Sequence, residues 1–148
     1  MPRRRDRDDR GTATVELAWL TILLLVPLLW VVVAAFEVQS GAFGTSAAAR
    51  AAGRAYALAP NDAVGMERAR EAARQALSDQ GVDDPFTLRV TCTPYPADCH
   101  SGESVITVRV ATSVVLPLLP DFLGGAQPRF ALDASHTVPI GRYQEVTR

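Results

Sequence analysis

Residues Gly11 to Phe36 read GTATVELAWLTILLLVPLLWVVVAAF. From Leu17 to Phe36 the chain runs for twenty residues without a charge, and only Thr21 and Pro27 interrupt its apolar character. At about 1.5 Å of rise per residue that length covers the roughly 30 Å hydrocarbon core of a bilayer, so a membrane-spanning helix is predicted here. Its leading edge carries an acid. Glu16 abuts the apolar run, and a carboxylate costs about 2.5 to 3.5 kcal/mol at the centre of a membrane helix on insertion-based scales. An acid so placed either finds a partner or snorkels to the headgroups.

The flanks of this stretch differ in charge. Residues 1–10, MPRRRDRDDR, hold five Arg and three Asp, and the formal net charge of −1 for the whole chain therefore leaves −3 for everything from Gly11 onward. A positive flank stays inside, so the expected topology is single-pass in the cytoplasmic membrane, with the amino terminus in the cytoplasm. The expected division is a basic leader over 1–11, the transmembrane helix over 12–37 and one extracytoplasmic domain over 38–148. A secretory signal competes with this reading, because Val33-Ala34-Ala35 offers small residues for signal-peptidase cleavage after Ala35. Against it, the apolar run exceeds the roughly 7 to 15 residues typical of a signal peptide. Nucleic acid is not an expected partner: beyond the leader the Arg residues are scattered among acids and form no basic patch with interleaved aromatics.

Past Glu37 the helical pattern continues through VQSGAFGTSAAARAAGRAYALA and is expected to stop at Pro60. Small residues recur at every fourth position in two rows, Ser40, Gly44, Ala48, Ala52 and Gly41, Thr45, Ala49, Gly53. Such rows permit close packing, either on another subunit or on the domain's own sheet. Glycine's low helix propensity also predicts a bend near Gly41–Gly44. A second helix is expected from a cap at Asn61 or Asp62 to Gly81, with Met66, Ala69, Ala73, Ala76 and Leu77 on its apolar face. Three runs then alternate with period two: Phe86, Leu88, Val90, Cys92; Ile106, Val108, Val110, Val114; and Phe130, Leu132, Ala134. That alternation predicts an antiparallel sheet with one buried face, and the fold class is α+β. Leu118, Leu119, Phe122 and Leu123 fall in a Pro/Gly-rich loop that either touches a partner or the membrane, or folds back on the sheet.

Cys92 and Cys99, in a domain expected outside the cytoplasm, predict a disulfide across the turn between the first two strands. His100 beside Cys99 does not complete the paired short spacings of a zinc site, so no metal is expected. His136 falls by parity on the apolar face of the third strand. No nucleophile elbow, phosphate-binding glycine loop or acid pair is present, and neither an enzyme activity nor a cofactor is expected.

The basic leader, Gly11, the four uncharged residues Thr12-Ala13-Thr14-Val15, Glu16 and the apolar helix together resemble the processing site of type IV pilin-like proteins. The continuation is similar to the TadE-like branch of the tight-adherence (Flp) pilus system: Glu37 closes the apolar run, and AARAAGRAYA of Ala48–Ala57 sets Arg50 and Arg54 one turn apart. The resemblance runs from Arg10 to Leu58. It implies that a prepilin peptidase cuts after Gly11, that Thr12 becomes the first mature residue, and that Glu16 sets filament register and assembly by meeting a neighbour's terminal amine. Leu17 follows the acid where major pilins of this system usually carry an aromatic, which points to a minor pilin or assembly component. Thr12 is a less usual first residue, and amino-terminal methylation stays open. The partners implied are the prepilin peptidase, other pilins, pilus-assembly membrane proteins and the lipid bilayer, with a cell-surface pilus as destination. Two other readings stand beside this one: an uncleaved membrane-anchored interaction protein, and a soluble protein released after Ala35.

Overall fold

A computed structural model of the chain describes residues 10–116 and 128–141, with side chains from Ala13 onward. It contains α1 (Arg10–Ala57), α2 (Asp62–Ser78), β1 (Thr87–Thr93), β2 (Val105–Val115) and β3 (Arg129–Pro139). The arrangement is the expected α+β one. Most of the leader, the loop with Leu118, Leu119, Phe122 and Leu123, and the tail from Arg142 lie outside the described residues.

Helix α1 has 48 residues and so extends about 72 Å. Its first half is bare and its second half is the spine of the domain. Thr21 Oγ1 donates back to the Leu17 carbonyl at 2.7 Å, which satisfies the hydroxyl inside the apolar run. Pro27 lies within the helix; lacking an N–H, it leaves the Leu23 carbonyl without its usual donor. The helix is continuous through Gly41–Gly44, and both glycines are buried against neighbouring elements. The helix ends at Ala57, one turn before Pro60, with Ala59 N–H bonding the Tyr56 carbonyl at 3.1 Å.

The two rows of small residues serve two different neighbours. A Cβ placed on Gly41 would lie 2.5 Å from Val114 Cγ1 and 2.6 Å from Leu132 Cδ1, and one on Gly53 would lie 3.2 Å from Val138 Cγ2. This row faces the sheet. Gly44, in the other row, meets Gln80 and Val82 just beyond α2, and Ser40 Oγ donates to the Gln80 carbonyl at 3.3 Å. The packing of the outer half is therefore with its own domain. Asn61 caps α2, its side chain accepting from Val64 N–H at 3.0 Å. At the other end Gly81 takes a positive φ of 71°, and the Val82 N–H bonds back to the Leu77 carbonyl at 3.0 Å. That closure, open to glycine because it lacks a Cβ, turns Val82 into the core. The apolar face of α2 buries Ala69, Ala73 and Leu77, as the periodicity predicts.

The sheet is an antiparallel meander in the order β1-β2-β3. Its inner face presents Ile106, Val108 and Val110 fully buried beneath α1, joined by Val114 and Cys92. The outer face is polar, with Thr107 Oγ1 against Thr137 Oγ1 at 3.3 Å and Arg109 paired to Asp133 at 2.9 Å. Strand β3 carries the alternation of Phe130, Leu132 and Ala134 on through His136 to Pro139.

Because no space exists at Gly41 for even one carbon, Gly41→Leu is expected to force α1 off the sheet and to destabilise the domain by at least about 1–3 kcal/mol. Thermal unfolding of the purified full chain checks this. An unchanged midpoint would show that the two elements do not pack as described.

Candidate membrane and assembly site

The bare half of α1 is apolar all round. Leu23 is 73% exposed, and Val15, Leu17, Trp19, Leu25 and Phe36 are similarly uncovered. The most apolar window of the helix has no residue buried by the rest of the protein. An all-round apolar surface of this length is stable in lipid and unstable in water. By length and composition α1 is able to cross a bilayer.

Two carboxylates bracket this surface. Glu16 and Glu37 are both exposed on α1, and their separation of about 31 Å along the axis matches one hydrocarbon thickness. Each can reach a headgroup layer without entering the core. Val38, immediately after Glu37, is packed against the domain core. Gly11 and Thr12 belong to the first turn of α1.

The second cluster lies at the far end of α1. Cys92 and Cys99 are bonded, with Cα atoms 5.3 Å apart. His100 is buried, its ring stacked on Tyr56 with centroids 5.3 Å apart. His100 Nε2–H donates to the Tyr56 carbonyl at 3.0 Å, and Nδ1 meets Asp62 Oδ1 at 2.5 Å. The other oxygen of Asp62 accepts from Cys99 N–H at 3.3 Å. One carboxylate at the start of α2 thus fastens the disulfide turn to the α1–α2 corner. Both ring nitrogens of His100 are engaged inside the fold, and among the described residues no three His, Cys, Asp or Glu side chains gather as a metal site. His136 lies on the helix-facing side of β3, as parity predicts, against Gly53.

Sequence reasoning does not find the Tyr56–Asp62–His100 cluster. The available signal is the pair Asn61-Asp62: once Asn61 takes the cap, Asp62 is free to serve another partner. Burial, followed by the charge of Asp62 and a hydrogen bond to it, pushes the Tyr56 hydroxyl up to about 12. Comparison with protein-family models, with curated proteins and with solved structures finds no match.

A tyrosine whose pKa is raised by folding stabilises the protein fully below its unfolded value near 10, and that stability is lost as pH rises towards 12. Tyr56→Phe is therefore expected to unfold with a weaker dependence on pH between 10 and 12 than the parent. Denaturant titrations across that window check it, and parallel curves for the two proteins would contradict it.

Proposed function

We propose that the protein is a minor pilin or pilus-assembly component of the tight-adherence type, held in the cytoplasmic membrane by α1 with its domain outside. One observation carries the reading: a bare apolar helix of bilayer length, bracketed by Glu16 and Glu37, continues unbroken into the spine of a small domain. A helix of that kind is at once a membrane anchor and a surface for helical packing between subunits. The leader and the Gly11-to-Glu16 spacing supply the rest of the support, through their resemblance to prepilin processing sites.

In this reading the membrane holds the precursor until a prepilin peptidase removes residues 1–11. The new amine on Thr12 then lies one helical turn from Glu16, close enough to pair within one subunit. In a filament the same carboxylate meets the amine of a neighbour, and an unpaired ion in that apolar setting is costly. Partners are the peptidase, other pilins, pilus-assembly membrane proteins and lipid. The role is structural and needs no cofactor. The helical conformation at Gly11 and Thr12 favours one alternative, an uncleaved single-pass anchor for an interaction domain.

Two substitutions separate these readings. The parent is expected to be cut after Gly11 and Gly11→Leu to stay a full-length precursor in the membrane, because a bulky residue there blocks approach of the backbone to the peptidase; a parent that is itself full-length favours the uncleaved anchor. Glu16→Ala is expected to insert and mature normally but to fall sharply in sheared filaments relative to the parent. Fractionation of cells making each variant reads both outcomes. Full processing of Gly11→Leu, or normal recovery of Glu16→Ala in filaments, would count against the pilin.

A further inference from the structure

We infer that the domain beds its membrane-facing rim into the headgroup layer through Phe130, flanked by Val115, Leu116 and Pro128. This rests on the reading of α1 as a membrane span. The helix is unbroken across Phe36 and Glu37, so the height of the domain above the bilayer is fixed by the chain itself. Gly41 meets Val114 and Leu132, and Gly53 meets His136 and Val138. Helix and β3 therefore run in the same direction. Twelve residues of helix and about six of strand both cover roughly 18 to 20 Å, so the two axes are close to parallel.

That alignment gives the level of every row of the sheet. Gly41 lies five residues past Phe36, about 7.5 Å further from the lipid. From the row beside Gly41 the sheet continues towards the membrane through the Val114↔Phe130 and Val115↔Arg129 pairs. It closes with Leu116 N–H bonded to the Pro128 carbonyl at 3.0 Å. Pro128 is about 10 Å below the Gly41 row, level with Phe36 and the end of the apolar run. Phe130 falls within the interfacial layer just above.

The chemistry of the rim suits that level. Phe130 lies on the helix-facing side of β3, where burial is expected, yet 47% of its surface is uncovered. Val115, Leu116 and Pro128 are only half-buried. An aromatic with aliphatic neighbours is the composition that settles between headgroups and acyl chains. Arg129, on the opposite side of β3, is paired with Asp84 at 3.2 Å, so its charge is met within the domain; Glu37 reaches the same headgroup layer. The occupant of the rim is thus the bilayer surface, and the domain is held down on it at one rotational setting about α1.

The chain has two tryptophans, Trp19 and Trp30, both in the apolar helix, which makes the test direct. Phe130→Trp is made in a Trp19→Phe, Trp30→Phe background, and the full chain is placed in vesicles of phosphatidylcholine and phosphatidylglycerol. Lipid brominated high in the acyl chain is expected to cut its emission roughly two-fold or more, as for a ring buried about 5–10 Å into the interface. Leu58→Trp in the same background, at the far end of α1, is expected to be unquenched. Trp30 alone, in Trp19→Phe, reports on the span. If Trp30 is quenched and position 130 is not, the rim contact is overturned while the span stands. If neither is quenched, both fall. Quenching at positions 130 and 58 alike would mean that the domain lies flat on the membrane, and would overturn docking by the rim.

Discussion

The close approach of the outer half of α1 to the sheet is the constraint from which the rest of this structure follows. Gly41, Thr45, Ala49 and Gly53 leave the helix almost without side chains on one side, and Val114, Leu132, Val108 and Val138 fill the space. Dispersion at this distance is collectively large, and the backbone can come this near only because no Cβ stands in the way. Since the same helix continues to Glu16 without a break, docking the sheet on its outer half also sets where the domain stands relative to the bare apolar half. The bare apolar segment and the spine of the core are one element.

The core held by this contact is modest. Its fully buried large side chains are Leu77, Ile106, Val108 and Val110, and the remainder is mostly alanine and smaller apolar residues. Small domains of this kind gain from covalent and polar fastening. The Cys92–Cys99 bond closes a short loop, a constraint on the unfolded chain of about 2–3 kcal/mol. Asp62 then ties that loop to the α1–α2 corner through Cys99 and His100. The corner and the sheet are thereby held together at the end farthest from the bare half of α1, where the helix has already terminated.

Much of this was legible in the residues. Period-two alternation placed Leu88, Val90, Ile106, Val108 and Val110 on the inner face because each strand has one side against helices and one against water. The apolar run announced the bare half of α1, and Asn61 and Gly81 marked the ends of α2. The partners of the two small-residue rows were not legible. Both rows have the same composition, and only the order of packing sends one to the sheet and the other to Gln80 and Val82. The continuity of α1 through Gly41–Gly44 follows the helical pattern that runs to Pro60, and tertiary contacts on both glycines offset their low helix propensity. The Tyr56–Asp62–His100 cluster joins residues far apart in sequence and has no local signature. The same parity carried β3 as far as His136, and only its last residues up to Pro139 had no apolar signal to mark them.

In the proposed function one continuous helix, beginning near Thr12, serves as membrane anchor and domain spine in the mature protein. Intact mass and amino-terminal sequencing of the protein extracted from envelopes test it most directly. The account predicts a chain starting at Thr12 and keeping the whole bare helix. A chain starting at Phe36 would contradict it, because the domain would then have left the membrane without its anchor.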